Sequence, residues 1–360
     1  MRKEVYMKKA LVLQGGGAKG AYAAGAIKAL TQKKIYFDFA CGTSIGAINA
    51  ALYVNKKLDA MYKLWLNTDY DEIFGIDCQI FANFSNGKFS KKDIKKGISS
   101  IKKIVKNDGI DTDKMMKFLE NNIKENIFRK SKIDFGLNTY NLSDMKPVEV
   151  FKKDIPEGKL HEYLMSSAFL PFFKFEKLID NKYYIDGGVY SDCPIDMAIE
   201  AGYKEIYVIK AWLGKVRYTH KKDVKVHVIG PRESLGSIMS FTKEDSKKRM
   251  QLGYFDTLKY LYKLDGNKYY FKNYSESYYK KLFTKNVYKK IIKDYDKGII
   301  PKTDKEFIIK IIEKVCKEFN IERFKIYNMP FLLTRLKYKM ITKPNSKYYY
   351  FIKNIKVEFE

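Results

Sequence analysis

Nowhere in the 360 residues does an apolar run approach the roughly 18 consecutive residues that a membrane-spanning helix requires. Residues 1–10 carry Arg2, Lys3, Lys8 and Lys9, but the apolar run behind them covers only residues 10–13 before glycines begin. A secretory leader needs an apolar core of about 7–15 residues and a small-residue cleavage site. The chain is therefore expected in the cytoplasm, free or held peripherally at a membrane. Cysteine is scarce. Cys41, Cys78, Cys193 and Cys316 are scattered with no C-x-x-C pair, which excludes a cysteine metal cluster and a disulfide framework and suits a reducing compartment. Histidine is scarcer still, with only His161, His220 and His227. No zinc-finger, helix-turn-helix or RNA-recognition pattern accompanies the positive charge, so nucleic acid is not an expected partner.

What is present points to a folded protein. A hydrophobic fraction of 46% and an aromatic fraction of 15% exclude a disordered chain. The net charge of +27 has two readings. It could hold the protein on anionic phospholipid, at about 1 kcal/mol per Lys near the headgroups. It could equally be compositional, since Lys, Tyr, Ile and Asn are abundant throughout.

Residues 9–13 form a short apolar run ending in glycines, and 21–30 have a helical pattern of small and apolar residues. Residues 36–41 read as a strand and 45–53 as a helix. This alternation predicts a three-layer α/β/α sandwich with a mainly parallel central sheet. Residues 134–141 and 147–151 read as paired strands. A hairpin is predicted from 175–179 and 183–185 around Asp180-Asn181. Pro194 suits the first turn of a helix closed by Gly202, and 205–209 and 224–229 read as buried strands. The charged stretch 67–130 is the candidate lid. Beyond Gly230-Pro231 the pattern becomes long, Lys- and Tyr-rich and mostly helical. From residue 231 onward there are 30 Lys and Arg against 15 Asp and Glu. Lys247, Lys248 and Arg249 are the candidates there for contact with an anionic surface.

Three motifs carry chemistry. Gly42-Thr43-Ser44-Ile45-Gly46 is a G-x-S-x-G between a strand and a small-residue helix. Glycines there let the backbone turn sharply enough to present a serine hydroxyl, and the helix N-terminus favours a nearby anion. The plain alternative is a structural glycine turn. Gln14-Gly15-Gly16-Gly17-Ala18-Lys19-Gly20 can aim several N–H groups at one point, as an oxyanion hole or phosphate cradle would. Its Gly15-x-Gly17-x-x-Gly20 spacing also matches a dinucleotide fingerprint, with Asp38 about where a ribose-binding acid belongs. However, Asp38 enters the second strand rather than ending it, and the Walker A pattern fails because Gly20 follows Lys19. Ile185-Asp186-Gly187-Gly188 sets a carboxylate on a tight turn, which is also a common structural feature. A Ser-His-Asp triad would need a histidine beyond the sheet's carboxyl edge, and His220 is the least unsuited. A Ser–Asp pair needs none, provided the Asp is close and desolvated enough to be basic.

Together these blocks resemble the patatin-like phospholipases over roughly residues 8 to 210. Ser166-Ser167-Ala168-Phe169-Leu170-Pro171 is similar to that family's S-S-x-x-x-P segment. The resemblance implies calcium-independent hydrolysis of phospholipid or lysophospholipid acyl esters with no cofactor and no metal. It implies Ser44 as nucleophile, Asp186 as base and the Gly15, Gly16 and Gly17 amides as oxyanion donors. Lys19, Gly20, Gly42, Gly46, Gly187 and Gly188 would support the motifs. One departure stands out: Asp192 occupies a position where the family often has Asn. The expected organisation is a catalytic domain over 8–232 and a mostly helical region over 233–360. A peripheral contact with anionic membrane is expected alongside it. Two other readings stand beside this one, a non-enzymatic lipid-binding or membrane scaffold and a dinucleotide-binding oxidoreductase.

Overall fold

The computed structural model describes residues 7–67, 111–171, 173–295 and 303–357. The chain divides into two compact units, Met1–Asp256 and Thr257–Glu360, so residues 233–256 belong to the first.

The first unit is built on a seven-stranded sheet. In chain order its elements begin with β1 (Lys9–Leu13), α1 (Gly20–Gln32), β2 (Phe39–Thr43), α2 (Ile45–Val54) and α3 (Leu58–Asn67). After α4 (Asp113–Asn122) and α5 (Glu125–Lys130) come β3 (Asp134–Asn141), β4 (Lys146–Phe151), α6 (Leu160–Ser167) and β5 (Tyr184–Asp186). Then follow α7 (Ile195–Glu200), β6 (Glu205–Ile209), β7 (Lys225–Ile229) and α8 (Lys243–Tyr262), which runs on into the second unit.

The strand order is β4-β3-β2-β1-β6-β7, with β5 on β3. β1 pairs in parallel with both β2 and β6, β2 with β3, and β6 with β7. β1 is thus central, and its apolar residues are buried on both faces, as a parallel strand covered by helices requires. One face packs Ala10, Val12, Phe39 and Cys41 against Ile195, Met197 and Ile199 of α7. Helix α1 is buried along most of its length and meets α8 at backbone distance: a side chain at Gly25 would strike the Met250 carbonyl, and one at Gly253 the Tyr22 carbonyl.

The hairpin predicted around Asp180-Asn181 does not form. Those two residues do turn, with φ of 50° and 59°, but residues 179–181 are 3-10 and Tyr184–Asp186 pairs with β3 instead. The edge of β3 beyond Asn138, where β2 ends, takes these three residues in register instead. Most of the candidate lid, residues 68–110, lies outside the described residues, as does Cys78.

The second unit has its own core, in which Tyr278, Tyr279, Ile308, Ile312, Leu333 and Phe351 are buried. It contains β8 (Tyr270–Phe271), α9 (Glu276–Lys281), α10 (Lys285–Tyr295), α11 (Asp304–Glu318), β9 (Ile326–Tyr327), α12 (Met329–Ile341) and α13 (Tyr349–Asn354). Ser275, Thr303 and Asn328 cap α9, α11 and α12 with side-chain oxygens. Among the described residues no helix is long and apolar enough to cross a membrane.

Candidate active site

Strand β3 acts as the ruler of the site. One of its edges pairs with β2 from Asp134 to Asn138, ending on Thr43↔Asn138. The same edge then pairs with β5, starting on Thr139↔Asp186, because the other edge is taken by β4. Ser44 leaves the end of β2 just where Asp186 ends β5, so consecutive residues of β3 bring the two together. The Asp186 carboxylate accepts a hydrogen bond from the Gly188 N–H at 2.7 Å and lies near enough to the Ser44 hydroxyl for that group to lower its pKa.

Ser44 sits at φ 57°, ψ −129°, outside the regions that non-glycine residues ordinarily occupy. Such strain of about 1–3 kcal/mol persists only where the surroundings over-determine it, and here they do. A Cβ at Gly42 would run into the backbone of Gly46, and one at Gly46 into the Leu13 carbonyl. The Ser44 N–H donates to Ser167 Oγ at 3.0 Å, and that hydroxyl donates to the Asn138 carbonyl at 2.8 Å. Thr43 Oγ1 donates to Asn138 Oδ1 at 2.6 Å, while Asn138 Nδ2 donates to the Ser191 carbonyl at 2.7 Å.

Both Ser44 and Asp186 are 8% exposed. Burial, opposed by the nearby Ser44 hydroxyl and the Gly188 N–H, holds the Asp186 pKa above the ordinary carboxylate value. That makes it a better proton acceptor than a surface Asp.

The glycine turn faces the same space. The Gly15 N–H is donated to the Asp192 carbonyl at 2.8 Å, and Ala18 N–H to the Ile238 carbonyl at 2.7 Å. The N–H groups of Gly16 and Gly17 find no acceptor among the described residues, so of the three glycines expected as oxyanion donors, Gly15 is already engaged. Gly17 has φ +54°, and a side chain there would collide with the Ile238 carbonyl. Lys19 lies under the turn with its ammonium 3.1 Å from the Trp212 ring centroid, and Trp212 Nε1 donates to the Gly15 carbonyl at 3.0 Å. Burial, aided by the charge of Arg249, pulls the Lys19 pKa down to about 8. The Gly20 carbonyl accepts from Asn49, whose amide oxygen accepts from Trp65. Gly187 abuts the Asn138 backbone too closely for any side chain. The Asp192 carboxylate, standing where Asn was expected, accepts from Gln14 Nε2 at 2.8 Å, and Gln14 Oε1 takes the Ala211 N–H at 2.9 Å.

These groups open on a cavity of about 440 Å³ lined by Gly15, Gly16, Gly17, Ser44 and Asp186. The rest of the wall is largely apolar, including Ile48, Leu52, Met115, Phe118, Leu170 and Phe241. Met115 and Phe118 come from α4, within the stretch expected as a lid. No histidine lines it. His161 Nε2 is bonded to the Ile123 carbonyl, His227 stacks on Tyr207 within the sheet, and His220 packs on Tyr218. Asp38 accepts from the Lys9 N–H at the amino end of β2, the wrong end for a ribose-binding acid, which removes the support for a dinucleotide site.

Sequence reasoning passed over Asn138, Gln14, Trp212 and the segment 235–241. Asn138 was detectable as a polar residue inside an otherwise buried strand. The others act through contacts nearly 200 residues away in sequence. Arg249, expected on a docking surface beside Lys247 and Lys248, is instead 2% exposed, because its guanidinium is surrounded by backbone carbonyls.

Residues 11–199 match the family model described as patatin-like phospholipase. A patatin-like phospholipase domain-containing protein of Caenorhabditis elegans is 54% identical over 43 residues, 12% of this chain and 4% of that protein. The lysophospholipase nte1 of Aspergillus terreus is 58% identical over 43 residues, 12% of this chain and 3% of that one. The chain thus spans only a few per cent of these relatives' length. Among solved structures, VipD of Legionella pneumophila aligns with a TM-score of 0.40 at 16% identity, over 94% of this chain and 80% of that one. Full-length ExoU of Pseudomonas aeruginosa, in complex with SpcU, aligns with a TM-score of 0.31 at 14% identity, over 97% of this chain and 70% of that one.

Proposed function

The chain belongs to the patatin-like phospholipase family, and from that premise we propose that it is a lipid acyl hydrolase working through a Ser44–Asp186 dyad. The observation that carries the reading is that Ser44 and a buried Asp186 of raised pKa, close enough to interact, share the wall of one apolar cavity. As Ser44 Oγ bonds to the ester carbonyl carbon, its proton passes to Asp186. The carbonyl oxygen becomes an oxyanion and takes the N–H groups of Gly16 and Gly17, which are worth more in this water-poor site than in solution. Collapse expels the alcohol, which leaves with the proton from Asp186, and an acyl-enzyme remains. Water, deprotonated by Asp186, attacks the acyl carbon; collapse breaks the bond to Ser44 Oγ, which takes the proton back from Asp186 as the fatty acid leaves.

The apolar wall suits a fatty acyl chain, and a phospholipid or lysophospholipid is the substrate class. The test is labelling with a fluorophosphonate probe alongside a lipid panel. Wild type is expected to label at Ser44 and to release fatty acid, whereas Ser44→Ala does neither. Turnover retained in Ser44→Ala refutes the dyad, and a wild type that binds vesicles without labelling favours the scaffold reading.

A further inference from the structure

The glycine turn is held from behind by a part of the chain beyond residue 199, where the family match ends. The Arg249 guanidinium gathers one loop. Its Nε donates to the Leu235 carbonyl at 2.8 Å, Nη2 to the Ser237 carbonyl at 3.1 Å, and Nη1 to the Ser240 carbonyl. Nη1 also reaches the Ala18 carbonyl at 3.4 Å. The loop so gathered lies across the turn. Its Ile238 carbonyl takes the Ala18 N–H at 2.7 Å, and the same oxygen occupies the space a side chain on Gly17 would need. Ile238, Met239 and Phe241 of this loop line the cavity, and Phe241 stacks on Trp65 with ring centroids 6.1 Å apart.

We propose that Arg249 is a positioning residue for the oxyanion turn, holding residues 235–240 as a strap that fixes Ala18 and thereby aims the Gly16 and Gly17 N–H groups. The inference rests on the hydrolase reading above. Arg249 is not among the residues that line the cavity, so its effect passes through the strap and through the Ala18 carbonyl it reaches. Ala18 is fully buried with the strap in place, and once the strap withdraws its N–H loses the Ile238 carbonyl that accepts from it. The 3-10 turn of Gly17–Lys19 then rotates to find another acceptor, carrying the oxyanion donors with it. A fork that grips several carbonyls in one plane is a guanidinium property, which a lysine ammonium does not reproduce. Because oxyanion donors act on the transition state, loosening the strap lowers kcat and leaves the binding of a short acyl chain nearly unchanged.

The experiment uses the full chain and a soluble short-chain p-nitrophenyl ester, with melting temperatures measured in parallel. Arg249→Ala is expected to lower kcat about a hundredfold, the scale of an ångström-sized misplacement, with KM within about twofold. Methylguanidinium added to this variant is expected to restore part of the lost kcat, which a general loss of stability would not allow. Arg249→Lys, which keeps the charge and the aliphatic stem, is measured beside it and carries the test if Arg249→Ala does not fold. It is expected to lose at least tenfold in kcat with KM held. Wild-type kcat in Arg249→Lys, or a folded Arg249→Ala that methylguanidinium does not rescue, overturns the proposal. Ser44→Ala in the same assay keeps the two readings apart: turnover surviving there defeats the hydrolase reading, whatever Arg249 does.

Discussion

Asp186 must be buried to be basic, and the same burial makes its charged form costly to the fold. Its pKa lies above the ordinary Asp value of about 3.9. Between that unfolded value and the higher folded one, the native state holds more protons than the unfolded chain, so this group's contribution to stability falls as pH rises through the window. Above that window the penalty is fully present. Asp186→Asn removes it, so the variant is expected to lose ester turnover while melting no lower than wild type at pH 7. Calorimetry beside an esterase assay checks this, and a clearly lower melting temperature would mean that the carboxylate stabilises the fold. The same shift governs activity. Only the ionised carboxylate can take the Ser44 proton, so kcat/KM is expected to rise with pH through an inflection above the ordinary Asp value. A pH–rate profile with its acid limb at or below that value would contradict the assignment.

At the scale of elements, one edge of β3 serves two strands of opposite direction, and the junction falls between Asn138 and Thr139. Asn138 ties that junction through both its side chain and its carbonyl. Asn138→Leu keeps the volume roughly constant but leaves the buried Thr43 hydroxyl and Ser191 carbonyl without that amide. Thr43 Oγ1 and the Ser191 carbonyl still bond each other at 2.8 Å, so the expected cost is about 0.5–1.5 kcal/mol for each hydrogen bond lost, together with a larger loss in kcat than in KM as Ser44 and Asp186 drift apart. Urea unfolding gives the first quantity and steady-state kinetics the second. Unchanged kcat would show that β3 aligns the pair without its side chain.

For the whole molecule, the charge is unevenly placed. Residues 323–357 hold nine Lys and Arg and no Asp or Glu. Within them, α12 buries Leu332, Leu333, Leu336 and Met340 and leaves Phe331, Tyr338 and Ile341 exposed at 67%, 76% and 72%. Lys337 and Lys339 flank that outer face. A helix with apolar groups on its outer face and cations beside them suits the interface of an anionic membrane. Binding to anionic vesicles is expected to weaken with salt, as the screening length falls from about 10 Å at 0.1 M to about 3 Å at 1 M. It is also expected to drop in the double variant Lys337→Glu, Lys339→Glu while turnover of a soluble ester stays as in wild type. Co-sedimentation measures this, and equal binding to neutral vesicles would rule out the electrostatic contact.

The three motifs were readable in the chain because their requirements are local and steric. A strand running straight into a helix through Ser44 tolerates only glycine at 42 and 46, where any Cβ meets backbone. An Asp before two glycines is equally a short-range pattern, and the alternation of apolar strands and small-residue helices announces a parallel sheet. What tertiary structure alone decided is the allocation of hydrogen bonds. Whether Gly15, Gly16 or Gly17 has an N–H to offer depends on carbonyls of Asp192 and Ile238, which the chain brings back from far downstream. The partner of β5 was settled by an open edge on β3 rather than by its own turn. Arg249 reads in sequence as one more surface cation in a lysine-rich stretch. Only the loop folded around it makes it an internal clamp, because a backbone carbonyl carries no residue identity and its direction cannot be read from composition.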